Sequence, residues 1–158
     1  MDDCHKAQTQ PKFRRVLGME AGQRMKRVRI VGVVLLLWNL AGLAAFGMQL
    51  RSDPATLGDP VTAQAFATMP AWAWLAYAVA TVSGTAGSLA LLMRRKVAAP
   101  LFALSLIGVV AQFSWSIFGF GIVAAKGMSV LAFPAAIAVI ALFGALYARA
   151  CARADTLR

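Results

Sequence analysis

Apolar and polar positions along this chain are sorted into blocks rather than interleaved. Charge-free stretches occupy residues 30–50, 60–93, 97–125 and 127–148. Each reaches the ~20 residues that a helix needs to cross the hydrocarbon core of a bilayer. Pro70 trims the second to an apolar part at 71–93, while Gly119 and Gly121 loosen the far end of the third, giving spans of about 30–50, 71–93, 97–120 and 129–148. None shows the ~10-residue alternating segments of a transmembrane barrel. Backbone polar groups in lipid must be satisfied inside the protein, so blocks of this length predict helices. The pattern therefore predicts an all-α membrane protein. A four-transmembrane-helix bundle fills residues 25–150, between a basic polar tail at 1–24 and a short tail at 151–158.

Composition agrees: 60% of the 158 residues are hydrophobic and 14% charged, whereas soluble domains lie nearer half and a quarter. Charge adds direction. The net charge of +10 is unevenly placed. Lys6, Lys12, Arg14, Arg15, Arg24, Lys26, Arg27 and Arg29 precede the first span. Arg94, Arg95 and Lys96 fill the second short loop, and Arg149, Arg153 and Arg158 follow the last span. Only Arg51 and Lys126 fall in the other two loops, a bias of fourteen against two. Under the positive-inside rule this predicts cytoplasmic termini, N-in and C-in, for a multi-pass protein of the bacterial inner membrane. Topology accounts for the basicity, so nucleic acid is not an expected partner. The lipid bilayer is, with a second copy or another membrane subunit as further candidates.

Aromatic residues mark depth. Trp72 and Trp74 open the second span, Trp115 and Phe118 lie towards the end of the third, and Tyr147 closes the fourth, where rings at headgroup level are expected. The connection "RSDPATLGDPVTAQAFATMPAW" carries two Asp-Pro turn signals. Asp59 before Pro60 reads as an N-cap with proline at the first helical position. Val61, Ala65, Phe66 and Met69 would line one face of that short helix. It reads either as a passive interfacial helix or as a lid over a site. The N-terminal segment is also open to two readings. Phe13, Val16, Leu17, Ala21, Met25 and Val28 form a weak basic amphipathic face, or the natural start lies at Met19 or Met25 instead of Met1.

Catalytic and metal-ligating groups are not expected. The single histidine, His5, sits beside Asp2, Asp3 and Cys4, and four adjacent residues do not easily enclose an ion tetrahedrally. Cys4 and Cys151 share the expected cytoplasmic side, where thiols stay reduced. No paired carboxylates, activated nucleophile or phosphate loop is present, so neither an enzyme nor a cofactor is expected. The spans hold no Asp, Glu, His, Lys or Arg, which disfavours proton-coupled transport. Small multidrug exporters carry a carboxylate in their first span, where this chain offers only Asn39 and Gln49.

Small and neutral polar residues distinguish the spans. Ala76, Ala80, Gly84 and Ser88 recur every four residues on the second span, the spacing of a smooth helix-packing ridge. Ala132, Ala136, Gly144 and Ala148 form a similar stripe on the fourth, and Ser105, Gly108, Gln112, Ser114 and Ser116 mark the third. Asn39 and Gln112 are amides near mid-span, unfavourable against lipid and therefore directed to another helix or a wet cavity. Trp38 offers a stacking surface beside Asn39. Trp38, Asn39 and Gln112 thus read either as helix-packing groups or as contacts to a polar solute.

Trp38-Asn39, "MPAW" at Met69–Trp72, "LLMRRKVAAP" at the end of the second span, and "LSLIG" with Gln112 in the third are short but ordered landmarks. In these the chain resembles a group of small bacterial four-span inner-membrane proteins, some of them labelled as sugar transporters. The resemblance covers roughly residues 25–150, implies the four-helix architecture and carries no catalytic residues. Two functions follow as expectations. One is a structural or accessory membrane component. The other is a small uncoupled transporter of a neutral polar solute such as a sugar, and a cavity lined by the amides would favour it.

Overall fold

A computed structural model describes residues 3–53, 59–154 and 157, with side chains from Gly22 onward. The Asp2–His5 cluster and the face from Phe13 to Ala21 thus lie outside the described side chains. Six α-helices follow in order: α1 (Asp3–Gln49), α2 (Pro60–Ala67), α3 (Ala71–Leu92), α4 (Ala98–Ser114), α5 (Ile122–Lys126) and α6 (Ala132–Arg153). A π-helical turn, Trp115–Gly119, extends α4, and a 3-10 turn, Met128–Leu131, leads into α6. No strand occurs among the described residues. Among the described residues, four stretches are long and apolar enough to cross a membrane: Gly22–Gln49, Ala71–Leu92, Ala98–Gly119 and Met128–Arg153.

The chain stops and starts where its local chemistry dictates. The Asp59 carboxylate caps α2 by accepting the Thr62 amide at 2.9 Å, with Pro60 in the first turn. Gly121 (φ 73°) and Gly127 (φ 82°) take left-handed conformations on either side of α5, which glycine adopts without steric cost. Arg94 turns the chain between α3 and α4 at φ 60°. At the beginning of the chain, the residues read as a tail continue the first span as one helix without a break.

In the bundle, α1 packs on α3, α3 on α4 and α4 on α6, whereas α1 and α6 do not pack against each other along their length. One end of the bundle, carrying the α3–α4 turn and the end of α6, is closed. Val28, Leu35, Leu91, Phe102, Ala148 and Cys151 form the buried core there, and Leu157 folds back into it from the short C-terminal segment. Phe102 sits in a notch between two glycines, where a β-carbon would lie 3.3 Å (Gly87) or 3.0 Å (Gly144) from its ring. Helices α3 and α4 approach closely at Gly108: a β-carbon there would meet the Ala76 carbonyl oxygen and the Ala80 nitrogen at 2.8 Å. Towards the other end, which carries α2 and α5, the helices diverge around a cavity.

Candidate functional site

The cavity has a volume of about 640 Å³, within the few hundred to ~1,000 Å³ typical of small-molecule sites. Helices α1 and α6 form its two flanks and α3 and α4 its back, while α2, through Thr62, Ala65 and Phe66, and Met69 just after it stand across its end. Small residues make the room. Ala41, Gly42 and Ala45 face it from α1, and Ala141 from α6. Its floor is Leu35, Phe102 and Ile140, shared with the buried core. No charged side chain lines it.

Asn39 stands in this wall, and its amide is anchored rather than free. Its Nδ2 donates to the Leu35 carbonyl at 2.8 Å and to Ser88 Oγ at 3.3 Å. Ser88 in turn donates to the Gly84 carbonyl at 2.9 Å. The Asn39 carbonyl oxygen rests against the bare face of Gly84, where a β-carbon would be 2.1 Å away. Asn39 therefore joins α1 to α3. Ser105 makes the matching joint from α4 by donating to the Ala80 carbonyl at 2.7 Å. Of the four ridge residues, Ala80, Gly84 and Ser88 are buried and Ala76 is half-buried, so the ridge lies against α1 and α4. The comparable stripe on α6 divides. Gly144 and Ala148 are buried, but Ala132 and Ala136 are exposed and do not line the cavity, which Phe133, Pro134, Ile137, Ile140 and Ala141 face instead.

Gln112 and Trp38 both line the cavity, Trp38 with 41% of its surface exposed. The Gln112 amide makes no hydrogen bond to the described residues. Gln49 also lines the cavity, while its side-chain oxygen is buried away from the open space without a hydrogen-bond partner among the described residues. Such an atom costs free energy unless something donates to it. Sequence patterning gave Gln49 no role beyond its amide. The π-turn was equally hidden, although Trp115, Ser116 and Ile117 in it complete the wall. Wide turns of this kind are often found at functional sites.

Two sets of contacts hold the α2 end. Phe46 meets Tyr77 edge-on at 4.9 Å, and Trp74 lies 6.2 Å from Phe46 and 5.9 Å from Phe66, so rings from α1, α2 and α3 form one cluster. Trp74 is thus partly inside the fold, whereas Trp72 is exposed. On the other side, Lys126 bonds to Asp59 and donates to Thr62 Oγ1 at 2.8 Å, latching α2 to α5. Lys126 and Thr62 together hold the Asp59 carboxyl down to about 2, from an ordinary 3.8. Comparisons with family models, curated proteins and solved structures gave no match to the chain.

Proposed function

We propose that this is a non-enzymatic multi-pass protein of a bacterial inner membrane that binds an uncharged molecule in the cavity between α1 and α6 and passes it without proton coupling. Supporting this reading, the cavity meets neutral amides, and the Gln112 amide makes no hydrogen bond among the described residues. In the proposed orientation both termini are cytoplasmic. Arg24, Lys26, Arg27, Arg29, Arg94, Arg95, Lys96, Arg149 and Arg153 then flank the closed end, and the cavity opens in the outer half. These basic residues act as topology determinants rather than as nucleic-acid contacts.

The test is native mass spectrometry of the chain extracted from its own membrane, comparing wild type with Ala141→Phe. A neutral small molecule retained by the wild type and lost from the variant is the expected result. No retained molecule, together with a more heat-stable Ala141→Phe, would turn the cavity into a packing defect. The accessory reading, as a homo-oligomer or the subunit of another complex, keeps one observation of its own. Ala132 and Ala136 leave a smooth exposed stripe on α6, the kind of surface that a neighbouring helix can approach closely.

A further inference from the structure

We infer that the molecule taken up is a neutral single-chain amphiphile with a hydroxyl head, entering sideways from the bilayer between α1 and α6. The inference rests on the cavity being a ligand site and adds its ligand class and route.

Route follows from the packing. The two flanking helices border the cavity without packing on each other, so that side faces lipid. The end facing the membrane surface is instead crossed by α2, whose Thr62 is tied to the Lys126–Asp59 pair. Ligand class follows from the polarity gradient. Gln49 lies ten residues beyond Asn39 on α1, a rise of about 15 Å. Gln112 and Ser116 lie beyond Ser105 on α4 in the same direction. The unengaged amides therefore sit towards the α2 end, at the level of lipid headgroups, while at mid-depth Trp38 offers only an indole N–H. The deeper Asn39 and Ser105 already spend their donors within the bundle.

Below them the floor is Leu35, Phe102 and Ile140, and offers nothing to a second polar group. A sugar would bring several hydroxyls to that apolar floor, each costing free energy if unpaired. A long-chain alcohol brings one hydroxyl, which can donate to or accept from the Gln112 amide, and buries its tail. A carboxylate would enter a wall without a cation, which is far more costly than burying an alcohol.

The test uses the full chain in phosphatidylcholine vesicles containing 1-hexadecanol that carries a diazirine on its alkyl chain, with crosslinked residues mapped by mass spectrometry. Labelling should concentrate on the cavity walls and floor. Unlabelled 1-hexadecanol should reduce it several-fold, while hexadecyl methyl ether and hexadecanoate compete less, and glucose not at all. Ala45→Phe should abolish cavity labelling, and Ala141→Phe on the facing helix serves if the first variant does not fold. Uniform labelling of outward residues such as Leu75, Val110 and Leu142, unaffected by competitor, would overturn the inference. Protection by glucose and not by hexadecanol would also overturn it, yet would leave the cavity a ligand site. Undiminished labelling of the same walls in both filled variants would remove both readings.

Discussion

Replacing Gly108 by alanine tests a backbone-to-backbone contact between α3 and α4. The added methyl would lie 2.8 Å from the Ala76 oxygen and the Ala80 nitrogen, and 3.0 Å from the Ala80 α-carbon. All three are backbone atoms, so no side chain can rotate away. Bringing 2.8 Å to the 3.4 Å where ordinary contact begins requires α3 and α4 to part. Overpacking of this kind typically costs ~1–3 kcal/mol. The Ser105–Ala80 hydrogen bond, 2.7 Å long and one turn away, should weaken as well. Membrane hydrogen bonds of this type average ~0.6 kcal/mol and reach almost 2. Together these give an expected loss of roughly 2–4 kcal/mol. Reversible unfolding in mixed micelles would measure it, with Gly47→Ala as the control, since nothing lies within 4 Å of a β-carbon there. If both variants unfold alike, α3 and α4 do not meet at Gly108 and the packing order is wrong.

Gly84→Ala should destabilise by pressing on Asn39, and the two sites should couple by ~0.5–3 kcal/mol in a double-mutant cycle with Asn39→Ala; additivity would mean that the amide is not seated on Gly84. Asn39→Leu alone should cost no more than ~2 kcal/mol, and a larger loss in the same unfolding assay would give the amide a role beyond joining two helices. Because the Asp59 carboxyl is depressed from 3.8 to about 2, its contribution to the α2–α5 latch is complete above 3.8 and disappears as pH falls through about 2. Lys126→Ala should move the Asp59 titration, followed by carboxyl NMR, back up towards 3.8, and an unmoved value would mean that the ion pair is absent in solution. Reporter fusions after Asp53 and at the C-terminus should report opposite compartments; a shared compartment would eliminate the four-span arrangement.

Much of the architecture is legible from the chain because bilayer thickness imposes a length on apolar blocks. The second span ends within a residue of its expected limits, and the Asp59–Pro60 signal does start a helix. What stays hidden is which face points where. In lipid, an outward residue and a buried one are both apolar, so hydropathy does not separate Ala132 from Ala148 although only the latter is buried. Small-residue spacing finds the α3 ridge because close approach needs small side chains. It does not reveal that the partners are Asn39 on α1 and Gly108 on α4. The fourth span runs to Arg153, beyond the expected end at 148, since arginine can reach the interface from the last turn of a helix. The π-turn has no hydropathy signature, and the role of Gln49 depends on a cavity that no single segment encodes.

The shape of the cavity bears on what can occupy it. A closed void in a packed core costs about 24 cal/mol per Å³, but this one is open on the side where α1 and α6 do not pack, so the surrounding phase can enter it. Wall and floor are mainly aliphatic and aromatic, which opposes a filling of water, since buried waters need two to four polar partners each. Ala41, Gly42 and Ala45 lie along the α1 flank, where larger aliphatic residues would close much of the gap with no change of backbone. The space is thus set by small side chains on an otherwise sound bundle, and the unpacked flank between α1 and α6 gives the surrounding lipid phase access to it. On the proposed reading an apolar chain enters from that side, and the Gln112 amide near the α2 end would favour a hydroxyl-bearing occupant over a plain acyl tail.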